Sequence, residues 1–212
     1  MKVVNLKSKS LNQSGNTHIV VALLIIVVVA VVGVYMLVAS HADPFSASAR
    51  NPYTAQCPGN RVTYGVPNGK TATAAARSTV FGPPYPNANV AETTFMGHTV
   101  YMNRKVIPCL KAVEWDLQVV YHTNYKVQEV FGASELNSQN PPNFFHAYGA
   151  AIDINPTENP QCVGGCNHCS SGCRHDMPAQ WVRAFRAHGF FWGGNFRTDK
   201  DFMHFEWHGQ RP

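Results

Sequence analysis

The chain has 212 residues, room for one domain with a proper core plus appendages. Charged residues are 14% and aromatics 11%, which excludes a disordered chain and suits a compact extracytoplasmic domain. The formal charge of +5 is concentrated at the front: Lys2, Lys7 and Lys9 precede every acidic residue, and the near balance beyond them offers no basic face to nucleic acid.

Residues 1–18 are polar and read as a cytoplasmic tail. Ile19 to Val38 is an uncharged run rich in Val, Ile and Leu, long enough at about 1.5 Å per residue to cross a bilayer core. It has no polar face at any helical period, so it is not a helix on a globular core. Lysines precede it and none follows until Arg50, which orients the N-terminus inward and sends the rest of the chain outside. The competing reading is a cleaved signal peptide with Ser40-His41-Ala42 at the cleavage site, giving a secreted product.

Residues 39–90 are rich in Ser, Ala, Pro, Asn and Gly and read as a linker leading into loosely structured peripheral segments. Gly82-Pro83-Pro84-Tyr85-Pro86 within them is a stiff extended turn. Residues 91–212 form the folded domain. Thr94 to Val106 predicts one or two strands, with a hairpin at Gly97. Pro108 opens a helix whose stripe is Leu110, Val113, Leu117 and Val120. Lys126 to Val130 predicts a further strand. A second helix spans Pro178 to His188, with Trp181, Phe185 and His188 on one face, Asp176 as its cap and Gly189 ending it. Helices and short strands alternate without a βαβ repeat, so the fold class is α+β with a small, mainly antiparallel sheet.

Two stretches carry chemistry. In Phe145-His146-Ala147-Tyr148-Gly149-Ala150-Ala151-Ile152-Asp153-Ile154, Asp153 sits between isoleucines on a short buried strand. An ionised carboxylate there needs a cation, a metal or several hydrogen bonds. His146 and Asp153 would fall on opposite faces of a pure strand, so the chain must turn near Gly149 for them to converge. About fifty residues on, Asp199-Lys200-Asp201-Phe202-Met203-His204-Phe205-Glu206-Trp207 is a second apolar strand-like run. His146, Asp153 and His204 make a set of three zinc ligands with a fourth position left for water. The competing reading leaves each as a hydrogen-bonded structural residue.

Six cysteines occur: Cys57, Cys109, Cys162, Cys166, Cys169 and Cys173. The last four lie in a Gly/Ser-rich loop at Cys-x3-Cys-x2-Cys-x3-Cys spacing, which in a reducing compartment would suggest a second metal site. On the oxidising side of a membrane an even number predicts disulfides. The expected pairs are Cys57–Cys109 and two bridges inside the loop. Cys162–Cys173 nested around Cys166–Cys169 would suit a hairpin-like loop, although connectivity is open at this level. His168 and His175 keep the metal alternative alive.

The pattern His-x-x-Gly-x-Ala-x-Asp-Ile, matched by His146, Gly149, Ala151, Asp153 and Ile154, is followed by Asp-x-x-His-Phe-Glu, matched by Asp201, His204, Phe205 and Glu206. Together these resemble the zinc peptidases that include D-alanyl-D-alanine carboxypeptidases and L-alanyl-D-glutamate endopeptidases of phage lysis enzymes and bacterial walls. The similarity runs from about Val100 to Trp207. It implies a zinc-dependent peptidase with peptidoglycan stem peptides as substrate, and it places Asp201 at the position of the catalytic acid/base. Glu206, sharing a strand face with His204, is the rival for that role or a support that orients the ligand histidine. Two departures stand out. Phe144 occupies the place of a serine found in many relatives, and 129–137 lacks the arginine that steadies a developing oxyanion. Gln128, Ser134 and Asn137 are the available neutral donors, and losing such a donor costs about 2.7–4 kcal/mol of transition-state stabilisation. The Asp-x-x-His form leans toward the endopeptidase branch. The alternative function is a non-catalytic, zinc-stabilised wall-binding domain, with a cysteine-rich metal-binding module as a distant third.

Overall fold

The computed structural model describes residues 51–57, 74–135, 144–166 and 172–209. The chain divides into two compact units, Met1–Asp43 and Pro44–Pro212, and every described residue belongs to the second. The expected membrane segment at 19–38 lies outside the described residues, and among them no helix is long and apolar enough to cross a membrane.

The alternation Ala151-Ile152-Asp153-Ile154 forms strand β4 (Ala151–Ile154) near the centre of a four-stranded sheet. Its neighbours are β3 (Val130–Phe131) and β8 (His204–Trp207), and β8 pairs in turn with β6 (Phe190–Trp192); all three pairings are antiparallel. Register divides the residues by face. Ile152 and Phe205 are partners on one side, while Asp153 with His204 and Ala151 with Glu206 lie on the other. The apolar face meets the helices: Phe205 stacks on Phe185 with ring centroids 3.9 Å apart. Each such fully buried aromatic contributes about 1.5–3 kcal/mol.

Two smaller sheets flank this one. The expected hairpin is present as β1 (Val90–Phe95) and β2 (His98–Asn103), turning at Met96-Gly97, where Gly97 has φ +85°. The other sheet joins β5 (Gln161–Cys162) to β7 (Lys200–Asp201), with Gln161 opposite Asp201. The fold is thus mixed helix and sheet, its strands shared among small antiparallel sheets.

The predicted helices form with small shifts of their ends. Helix α2 (Ile107–Trp115) has Pro108 in its first turn, where a missing N–H costs nothing, and it buries Leu110 and Val113. It runs on into a wider turn, Asp116–Val120, that buries Leu117. Helix α3 (Ala179–Ala187) buries Trp181 and Phe185 and gives way at Gly189, φ +86°. His188, just past it, is buried and bonds Asp116 Oδ2 through Nε2 at 2.7 Å, joining the two helices.

Three expectations are corrected. Asp176 does not cap α3: Pro178 stands at the N-cap with no side-chain bond, and Asp176 accepts the Tyr125 hydroxyl instead. The strand expected at Lys126–Val130 reduces to Val130–Phe131. Asn155 takes over the main chain before it, its Oδ1 accepting Gln128 N–H at 2.7 Å and Glu129 N–H at 3.2 Å, its Nδ2 donating to Lys126 O at 2.8 Å. The peripheral segment also contains a helix, α1 (Ala74–Phe81), whose first turn Ala74-Ala75-Ala76-Arg77 is made of good helix formers and which is closed by Gly82 at φ +84°. It buries Phe81 against Phe145, Tyr148 and Trp207.

The Cys57–Cys109 bridge forms as expected and ties 51–57 to α2, where Asn51 Nδ2 also donates to Ala112 O at 2.8 Å. The nested loop pairing does not form. Cys166 pairs with Cys173, their Cα atoms 4.9 Å apart, which excludes both nested bridges. Cys162 is disulfide-bonded, Cys169 lies outside the described residues, and there is no free cysteine among those described. The start of this loop is tied to the sheet. Cys162 is held on β5 opposite Lys200, and Gly164 N–H bonds Asp199 Oδ1 at 2.8 Å, so the turn that leads from Cys162 to Cys166 is anchored to the strand that precedes His204.

Candidate metal centre

Asp153 and His204 come together because β4 and β8 are neighbours and these two residues are register partners. His146 arrives from a different direction. It sits in a short 3₁₀ turn, Phe145–Tyr148, which ends at Gly149 in the left-handed region, φ +64°. A side chain at 149 would also meet Asn103 N at 2.7 Å, so both conformation and space demand glycine. The turn expected near Gly149 is the one observed.

The three side chains converge on one point. Asp153 Oδ1 is 3.1 Å from His146 Nε2 and 2.9 Å from His204 Nδ1, and the two ring nitrogens are 3.1 Å apart. Their outer nitrogens define which atoms face inward. His146 Nδ1 lies 2.6 Å from Gly132 O, which can only accept, so Nδ1 carries the hydrogen and Nε2 presents its lone pair. His204 Nε2 lies 3.3 Å from Glu206 Oε2, so in the neutral ring Nδ1 presents the lone pair. Two lone pairs and a carboxylate oxygen facing one another repel unless a cation lies among them. A tetrahedral zinc site with ligand bonds of about 2.0–2.1 Å has edges of about 3.3 Å, close to these separations. The donor set therefore fits zinc, and these three residues could hold a metal ion.

Electrostatics agree. Burial pushes Asp153 up, but the charges and hydrogen bonds of His146 and His204 more than reverse it, holding the carboxyl well below its ordinary value. Burial pushes His204 down, and bonds to Asp153 and Glu206 overcome this and raise it well above the ordinary imidazole value. A positive charge between the two carboxylates is what the site stabilises, whether a proton or a metal ion. Asp153 keeps 19% of its side chain exposed, which leaves an approach for a further ligand.

The second row of the same face carries Glu206 and Phe191, which are register partners. Glu206 is buried; burial raises it, but hydrogen bonds from His204 and His208 leave it lowered to about 2, an anion throughout the neutral range. Asp201 differs. Burial dominates, and its carboxyl is pushed up to about 6. Its Oδ1 is buried with no hydrogen-bond partner among the described residues, a costly state unless a ligand meets it. Asp201 and His204 close over Gly193, where a Cβ would fall 2.9 Å from Asp201 Cβ and 3.1 Å from His204 Cβ.

Other expected residues fall elsewhere. Gln128 Nε2 donates to Glu158 Oε1 at 3.0 Å, and Asn137 lies outside the described residues. Ser134 is linked to the site through its backbone, its N–H bonding His146 O at 3.1 Å. Phe144 is exposed at the foot of the His146 turn. Sequence reasoning missed His208, whose Nε2 lies 2.7 Å from Glu206 Oε1. The alternation of His204, Glu206 and His208 was the signal that could have revealed it.

The family model for D-alanyl-D-alanine carboxypeptidase matches residues 138–207, a segment that contains His146, Asp153, Asp201, His204 and Glu206. The match supports the resemblance read from the two motifs, over a shorter span than Val100 to Trp207, and it indicates a zinc metallopeptidase. No curated protein and no solved structure matches the chain.

Proposed function

From a segment that falls in this zinc carboxypeptidase family, we propose that the chain is a membrane-anchored, extracytoplasmic peptidase that hydrolyses peptidoglycan stem peptides. The observation that carries the reading is the inward-facing triad of His146 Nε2, Asp153 Oδ1 and His204 Nδ1, each histidine held by an acceptor on its far nitrogen. These three residues would hold zinc. Bound there, the ion supplies Lewis-acid polarisation of the scissile carbonyl and lowers the pKa of a water.

Asp201 is the group that moves protons. Near neutral pH its carboxylate takes a proton from the attacking water as the oxygen bonds to the carbonyl carbon. It then delivers that proton to the departing nitrogen as the C–N bond breaks. Its raised value suits both halves of the task, since burial makes the carboxyl a weaker acid and its carboxylate a better base. Glu206 orients His204 and stays ionised. Asp201 in the Asp-x-x-His position favours endopeptidase action between L-alanine and D-glutamate over removal of a terminal D-alanine. The anchor at 19–38 places the domain outside the membrane. Protease added to intact cells should then digest the chain beyond Ala42 and spare an N-terminal tag.

The deciding experiment pairs zinc content with digestion of purified wall peptides by the full chain. One zinc per chain with cleavage of a stem peptide is the expected result. One zinc with no cleavage would favour the wall-binding alternative, which the lack of an arginine in 129–137 keeps in view.

A further inference from the structure

We propose that His208 is a positioning residue for the metal centre, holding Glu206 so that Glu206 holds His204. The inference rests on the metal reading of the site. A buried carboxylate is free to swing about its last torsion, which is broad and roughly two-fold, unless an oxygen is pinned. Here, among the described residues, Oε2 meets His204 Nε2 at 3.3 Å and Oε1 meets His208 Nε2 at 2.7 Å. The shorter, stronger contact is the one farther from the metal ligands. His208 is therefore the anchor, and the His204 contact is what the anchor keeps in line.

His208 is itself held on two sides. Its ring lies flat on Phe145, centroids 5.0 Å apart and planes within 7°, and it packs against Phe191 at 5.7 Å. Its main-chain N–H bonds Gly189 O at 2.9 Å. Phe145 immediately precedes His146 in the 3₁₀ turn. The stack thus joins the turn that carries one histidine of the triad to the network that orients the other. A ring fixed in this way presents its N–H at one place, and the carboxylate plane follows. The rival account is that His208 only fills space between two phenylalanines, and the two accounts differ in what the ring nitrogen does.

The test is the zinc dissociation constant of the full chain, measured by chelator competition. His208→Phe keeps an aromatic for the stack and removes the donor; it should weaken zinc binding by about 10–100-fold. His208→Gln, which keeps an N–H, should lie closer to the parent. If His208→Phe does not fold, His208→Gln against His208→Leu carries the same contrast. In a Glu206→Gln background the His208→Phe change should add less than about threefold, because the group it acts through is already altered. Parent-like binding by His208→Phe, or an equal loss in both backgrounds, overturns the proposal in favour of packing alone. A parent that takes up no zinc is a different failure, since it removes the metal reading beneath the proposal.

Discussion

Asp153 and His204 are direct cross-strand partners, with Oδ1 and Nδ1 2.9 Å apart on the face of the sheet opposite the helices. Strand pairing makes this contact cheap to keep, because the ladder that orders the backbone also sets the two side chains side by side. Only His146 needs a separate device, the 3₁₀ turn closed by Gly149. Removing either half leaves the other half of the site intact but short of donors.

Alanine at His146, Asp153 or His204 should therefore abolish stoichiometric zinc as well as peptide hydrolysis. Asp201→Ala should keep zinc and lose rate by about 10²–10⁴-fold, the contribution of a positioned acid/base. Metal analysis beside muropeptide digestion distinguishes the two classes. An Asp201→Ala protein as active as the parent, with an inactive zinc-loaded Glu206→Gln, would show the two carboxylates reversed.

The pH profile should carry the mark of Asp201, which burial raises to about 6. As the base it must be ionised, so kcat/KM should fall tenfold per pH unit on the acid side of its ionisation, which a bound cation moves below the metal-free value of about 6. For stability the sign runs the other way. The folded carboxyl holds its proton more tightly than the unfolded one, whose ordinary value is 3.8, so this contribution is full below that value and is lost as pH rises through about 6. In zinc-free protein Asp201→Asn should be stabilised relative to the parent at pH 7.5, by about 1–3 kcal/mol, and not at pH 4. Equal unfolding differences at the two pH values would contradict this.

Gly193→Ala should damage the site from behind. The new methyl would lie 2.4 Å from Asp201 O and 2.9 Å from Asp201 Cβ, so β7 must shift away from the turn at Gly193. Overpacking of this kind costs about 1–3 kcal/mol of stability. Activity should drop by at least about tenfold, as misplaced catalytic groups do. A variant with parent-like melting and kinetics would refute the close approach.

Replacing Cys57 and Cys109 by serine opens a bridge that spans 52 residues and joins the 51–57 segment to α2. The expected loss is about 2–4 kcal/mol. Zinc affinity should change little, because the bridge touches none of the triad. Denaturant unfolding beside a zinc titration checks both halves, and a large fall in affinity without a stability loss would be the contrary result.

Much of this protein was legible in its residues. The spacing of Leu110, Val113 and Leu117 and the Gly97 turn identified the second helix and the hairpin, because 3.6- and 2-residue periods are local properties. The chemistry of His146, Asp153 and His204 was legible for a similar reason: an ionisable residue within an apolar strand needs a partner. Other features depended on contacts between distant residues. No pattern near Lys126 announces that Asn155 will take its main-chain bonds. No spacing among the loop cysteines announces that Cys166 takes Cys173, since connectivity is set by how the loop folds back in space. The role of His208 depends on Phe145, which reaches it only after β8 has paired with β4. Periodicity tells which face a residue occupies, while which strands lie side by side is decided by the burial of the whole core. That is why the donors could be named from the residues alone, while the way they are held follows from the packing of the core.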